Sequence, residues 1–214
     1  MLGADDALVS TASLMIGVAA SFASKEIILV AGVADLVGGS MSMSMAVGEY
    51  VSVSSQRDSE KADIERETRE LESHPQAELD ELAMVYVERG IEKELAMKVA
   101  QQLSERDRLG AHMRDELGVD PEFLARPMQA AWISAASFAS FAVIPIAALL
   151  VAPASSRIPA IAVVSLMSLS ALGAFGGHIG GAPLGRAALR VTIGGGLAMV
   201  VTAAIGRLLG VSVS

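Results

Sequence analysis

The residues best suited to chemistry in this 214-residue chain are carboxylates set at helical intervals. Asp63, Glu67 and Glu70 are spaced four and three apart and Glu78 and Glu81 three apart, so each set shares one face of a helix. His112, Met113 and Glu116 follow at i, i+1 and i+4, bringing an imidazole, a thioether and a carboxylate towards one edge. Like charges stacked this way repel, and two readings resolve the repulsion. In one the acids form a solvated face, with Lys61, Arg66 and Arg69 as interleaved partners. In the other they form a cage for a divalent cation, since hard cations take carboxylate oxygens and convergent acids tolerate one another around a positive ion. An added imidazole and thioether suit Fe²⁺, Mn²⁺, Co²⁺ or Zn²⁺ better than Ca²⁺ or Mg²⁺.

A second group of acids lies in apolar surroundings. Asp6 opens the first apolar stretch, and Asp35 and Glu49 interrupt the second. An acid at the centre of a membrane helix costs roughly 2.5–3.5 kcal/mol on insertion scales, so an intramembrane acid reads as functional. Asp5 and Asp6 also suit an interfacial N-cap pair, and Glu49 an interface position before Ser52, Ser54 and Ser55. Met41, Met43 and Met45 alternate with serines. Methionine fills cores, but beside an acid-lined path a thioether is also a ligand for softer ions. Other chemistry lacks residues. There is no cysteine, so thiolate sites and disulfides are excluded. There is no phosphate-binding Gly-Lys-Ser/Thr loop, no Glu-x-x-His and no His-Glu-x-x-His, and nothing calls for an organic cofactor. His178, amid glycines, reads as a loop or interface residue.

The elements that must position these residues follow from composition. The chain is 52% hydrophobic and 19% charged with a net charge of −8, at a mean hydropathy of +0.51. From Gln56 to Pro127 there are 19 Asp and Glu against 11 Lys and Arg, and the remainder holds five of each, so one internal third carries the whole excess. That pattern excludes a single water-soluble core, a disordered chain and a basic nucleic-acid binder. It predicts an all-α membrane protein in three parts: transmembrane helices 1 and 2 in 1–55, an acidic helical module in 56–127, and transmembrane helices 3 to 5 in 128–214. The five spans are Ala7 to Ser24, Ile27 to Val53, Ala130 to Ala152, Ile158 to Phe175 and Ala187 to Leu209. The first lacks the basic flank of a cleaved leader. With the module on the cytoplasmic side, 13 basic residues lie inside and three outside, which places the N-terminus inside as well. Small residues in the spans predict close helix packing and a homodimer in the lipid bilayer. Within the module, the spacing predicts one helix to Glu72, a break around Pro75, a second helix ended by Gly90, and a third closed by Gly118 and Pro121. Leu95, Val99 and Leu103, then Leu109 and Met113, form the third helix's expected packing stripe.

Three motifs resemble one family. These are the run from Gly3 to Leu14, Ser44-Met45-Ala46-Val47-Gly48-Glu49-Tyr50-Val51-Ser52-Val53-Ser54-Ser55-Gln56-Arg57-Asp58, and Gly180-Gly181-Ala182-Pro183. Together they are similar to the vacuolar iron transporter family in its bacterial form. The resemblance implies a five-span homodimer that exports cytosolic Fe²⁺ in exchange for protons, with a cytoplasmic three-helix metal-binding module between the second and third spans. It also implies a multi-pass protein of a bacterial plasma membrane, or of a vacuolar membrane in a eukaryote. By resemblance the module ligands fall on Glu67, Glu70, Glu78, Glu81, Met113 and Glu116, with His112 where the family commonly has methionine. The transport path falls on Asp6, Met45 and Glu49. Asp5 stands for a usual Asn, adding a second acid at the mouth. A membrane-anchored iron sensor or store without transport is the alternative that the residues leave open.

Overall fold

The computed structural model describes residues 2–39, 45–120 and 124–213, all in helices and short connections. Met41 and Met43 lie outside the described residues, as does Pro121. The helices are α1 (Leu2–Ala20), α2 (Lys25–Val37), α3 (Ala46–Ser73), α4 (Pro75–Glu88), α5 (Lys93–Asp115), α6 (Pro127–Val151), α7 (Arg157–Ile179) and α8 (Leu184–Val213). They divide into two compact units, residues 1–50 with 128–214, and residues 51–127.

In the first unit α1 packs against α2, α7 and α8, and α7 against α8. The core is built from Leu8, Ala12, Met15 and Ile16 of α1, Ile28 of α2, Ile146 and Leu149 of α6, Ile161 and Leu169 of α7, and Met199 of α8. Small residues set the approach. A Cβ at Gly206 would run into the Gly17 carbonyl, and one at Gly173 would fall 2.8 Å from the Ala188 Cα. Where backbones nearly touch, dispersion contacts and lipid entropy hold helices that have no hydrophobic drive to associate. Among the described residues three stretches are long and apolar enough to cross a membrane: Pro127–Val151, Ala154–Ile179 and Leu184–Gly210. Their outward faces carry large apolar side chains, among them Trp132, Val151, Met167, Val200 and Leu208. In water these faces would be costly, so a lipid environment fits them.

The first two expected spans are built differently from a simple hairpin. α1 begins at Leu2, which puts Asp5 and Asp6 in its first turns and not ahead of it. The stretch from Ile27 to Val53 is not one helix, because α2 ends at Val37 and α3 begins at Ala46. Gly38 and Gly39 follow α2, and glycine has weak helix propensity. α7 extends past Phe175 to Ile179, so His178 sits in its last turn, exposed, and not in the glycine loop.

The second unit contains most of α3 together with α4 and α5. α3 runs from Ala46 to Ser73 with no break near residue 55, since no Gly or Pro follows Gly48. Pro75 takes the first position of α4, where its missing N–H costs nothing. Gly90 and Gly118 adopt φ of +93° and +65°, the left-handed turns that end α4 and follow α5. The core joins Leu82 and Ala83 of α4 to Ala100 and Ala111 of α5, with Leu79, Tyr86, Met97 and Leu103 around them. The packing stripe matches the expected one at Leu103 and Met113 and departs from it at Leu95. Ala96 and Ala100 are buried while Leu95 is 54% exposed, because alanines admit the closer approach between α4 and α5.

The contact of Gly206 with Gly17 gives a direct check. Gly206→Ile should destabilise the protein by roughly 1–3 kcal/mol through overpacking, read as a lower melting temperature in detergent. Gly194→Ile, at a position with nothing within 4 Å, should leave that temperature unchanged.

Candidate metal centre

α3, α4 and α5 each deliver acids to one end of the second unit. Along α3 the burial differs at each acid. Asp63 pairs with Arg66 at 3.0 Å and Glu70 lies 3.9 Å from the same guanidinium, both substantially exposed. Glu67, between them in the sequence, is 2% exposed. On α4, Glu78 is buried and Glu81 exposed. On α5, His112 is fully buried, Met113 is buried beside it in sequence, and Glu116 caps the helix C-terminus half-buried. A solvated face accounts for Asp63 and for the outer edge of Glu70. It does not account for Glu67 or Glu78.

The two buried elements meet at one atom. Nδ1 of His112 is 2.9 Å from Glu116 Oε2 and 2.8 Å from Glu67 Oε1. The contact with Glu116 has hydrogen-bond geometry, whereas Glu67 Oε1 is a buried acceptor without a donor. A single ring N–H serves one carboxylate, so the other is left beside it without a proton. A divalent cation resolves this arrangement. First-row ions hold N and O ligands at about 2.0–2.2 Å, which sets adjacent ligand atoms about 3 Å apart. The ligand atoms of Glu67, His112 and Glu116 all lie within 4.8 Å of one another.

The electrostatics describe the same cluster. Glu67 is pushed up to about 7, first by burial and then by repulsion from Glu116, Glu78 and Glu70, against the opposing pull of His112. Burial also pushes Glu78 up, with Glu81, Glu116 and Glu70 adding to the shift. Glu67, Glu70, Glu78, Glu81, His112 and Glu116 thus act on one another's charge.

Two supports were hidden from sequence reasoning. Asp115 accepts from Tyr86 Oη at 2.8 Å and from Arg89 Nη1 at 2.8 Å, while Arg89 Nη2 donates to the Asp115 carbonyl at 2.9 Å. This clamp ties the end of α4 to the end of α5, one residue from Glu116. α5 is also bent at Asp107, whose backbone is extended (φ −160°, ψ 86°) and whose Oδ1 accepts from Gly110 N at 3.0 Å. That side chain restarts the helix that carries His112.

The acids of the first unit form a separate group. Asp35 of α2 accepts from Thr11 Oγ1 at 2.6 Å and from Ser10 Oγ at 3.2 Å, both on α1. Asp6 lies on α1 within range of the Asp35 charge. Met45 is buried with Ala7, Phe138 and Ala142, and its sulfur accepts from Ser134 Oγ at 3.4 Å. Glu49 stands one turn beyond, half-buried near the start of α3. Neither Ser10 nor Thr11 carries a sequence signal for this role, since each lies more than 20 residues from Asp35.

Comparison with known proteins adds to the geometry. A family model described as the VIT family matches residues 1–207. A "Vacuolar iron transporter" of Acanthamoeba castellanii is 45% identical over 209 residues, covering 97% of this chain and 76% of that protein. "Vacuolar iron transporter homolog 1" of Oryza sativa subsp. japonica is 35% identical, covering 98% and 72%. "Vacuolar iron transporter homolog 2" of Arabidopsis thaliana is 34% identical, covering 98% and 82%.

The raised pKa of Glu67 fixes a sign for stability. An acid that binds its proton more tightly when folded is fully stabilised below its ordinary value of 4.5, and that contribution is lost as pH rises to about 7. Hydrogen-exchange protection of α5 amides in the metal-free protein, corrected for intrinsic exchange, should therefore fall between about pH 4.5 and 7. Glu67→Gln should flatten this slope, and a divalent cation should restore protection at pH 7 in the unsubstituted protein only.

Proposed function

The chain belongs to the VIT family, and from that premise we propose that it exports Fe²⁺ from the cytosol in exchange for protons. Mn²⁺, Co²⁺ and Zn²⁺ are further substrates in this reading, and no organic cofactor takes part. The protein is a homodimer in the bilayer of a bacterial plasma membrane, or of a vacuole in a eukaryotic host. Five spans are made by α1, by α2 with the start of α3, and by α6, α7 and α8. Residues 56–127 form a cytoplasmic metal-binding module on the same side as the N-terminus.

In this reading Glu67, Glu70, Glu78, Glu81, His112, Met113 and Glu116 capture the ion. An acidic surface near an entrance raises the local concentration of cations. The ion then passes Asp6, Asp35, Met45 and Glu49, whose carboxylates take metal or protons alternately while the Met45 thioether favours softer ions. The observation that carries transport over simple anchoring is the acid of α2. Asp35 accepts hydrogen bonds from two α1 hydroxyls, an arrangement that solvates a carboxyl group in an apolar unit. A membrane anchor has no use for it. The fully buried His112 beside Glu67 also suits a second reading, an anchored iron sensor or store that binds without moving its ion.

Proteoliposomes separate the two. With an outward-directed Fe²⁺ path and an opposing pH gradient, the unsubstituted protein should move Fe²⁺ and protons in opposite directions, and Asp6→Asn or Met45→Ala should abolish both fluxes. Replacing Glu67 and Glu116 with Gln should raise the half-saturating Fe²⁺ concentration roughly ten-fold, a change of about 1.4 kcal/mol, while leaving the maximal flux. Binding without flux in the unsubstituted protein would leave the sensor reading in its place.

A further inference from the structure

The imidazole of His112 has a second side. Nδ1 is taken up by the two carboxylates, but Nε2 is buried and has no hydrogen-bond partner. The ring lines a cavity of about 410 Å³ whose apolar wall is Leu71, Pro75 and Leu79. Two more polar groups border that cavity, one buried and one exposed. Ser104 Oγ is buried and unpaired, and Arg108 makes no ion pair among the described residues. A buried polar group left unsatisfied is costly, and in a native protein each one calls for an explanation, of which a missing ligand is one.

The chemistry of the missing partner follows from the donors. A guanidinium and a hydroxyl call for acceptor oxygens, and Arg recognises planar carboxylates best. The apolar wall calls for a hydrocarbon body. We propose that this cavity binds a small organic carboxylate, its oxygens held by Arg108 and Ser104 against the His112 ring and its apolar body on Leu71, Pro75 and Leu79. Glu105 also lines the cavity, and its charge disfavours ligands carrying a second negative group near it.

The ligand is also coupled to the acid cluster. An imidazole that gives its Nδ1 lone pair to a metal carries its proton on Nε2, and metal-bound histidines donate that N–H to an acceptor. A carboxylate in the cavity supplies the acceptor, so each ligand tightens the other by the same factor. This coupling rests on the metal reading of Glu67, His112 and Glu116, whereas binding to the cavity does not.

The test uses the full chain in detergent with benzoate as probe, benzamide as its uncharged control, and Co²⁺ as the metal. Metal-free protein should bind benzoate saturably by saturation-transfer NMR and should not bind benzamide. Arg108→Gln should weaken benzoate at least ten-fold, and Glu105→Gln should leave it equal or tighter. Benzoate should tighten Co²⁺ by about five-fold or more, followed in the visible absorption of the ion, and Arg108→Gln should lose that gain. Benzoate binding with no Co²⁺ binding would overturn the metal reading and leave the cavity assignment standing. No saturable benzoate binding, equal binding of benzamide, or equal binding by Arg108→Gln would mean that the cavity holds only water, and would overturn the proposal.

Discussion

Two carboxylates directed at one imidazole nitrogen form the contact on which the second unit depends. One proton on Nδ1 satisfies Glu116 and leaves Glu67 Oε1 buried without a donor. The fold accepts this between α3 and α5, with both side chains almost fully buried. The rest of the unit is arranged around that contact. Alanines bring α4 and α5 close, the Asp107 side chain restarts α5, and the Asp115 clamp fixes the helix end. Such local cost concentrates where a protein handles a ligand.

The first unit meets the same constraint by other means. It offers few charged partners for its acids, so hydroxyls of Ser10 and Thr11 solvate Asp35. Thr11 is itself fully buried, which fixes its hydroxyl towards the carboxylate and away from lipid. The two units thus share acids and differ in what accompanies them: an imidazole and further carboxylates in one, neutral hydroxyls and a thioether in the other.

Legibility in the sequence followed the range of the causes. Pro75, Gly90 and Gly118 act within a turn of their own positions, so the helix boundaries they set were readable. Periodicity also placed Glu67 with Glu70, and His112 with Glu116, on shared faces. It could not tell Glu67 from Asp63, because burial on α3 is decided by helices 40 residues away in the chain. The expected stripe held at Leu103 and Met113 but not at Leu95, since hydrophobicity ranked leucine over alanine while the packing distance selected Ala96 and Ala100. Side-chain bonds across the fold, Thr11 to Asp35 and Tyr86 to Asp115, have no periodic signature at all. The break after Val37 was marked by Gly38 and Gly39, but the apolar residues on either side outweighed it.

The bend at Asp107 has a kinetic meaning. It leaves residues 108–115 as a helix of two turns, too short to persist alone in water, held to the rest by the buried Gly110, Ala111, His112 and Met113 and by Arg89 and Tyr86 through Asp115. That short piece carries the one imidazole that solvent cannot reach. An ion enters or leaves an enclosed ligand only when its enclosure opens, and local opening starts where the fewest contacts must break. For an ion held there in the proposed reading, residence time depends on the lifetime of that packing and of the Asp115 clamp, whereas affinity depends on the ligand set.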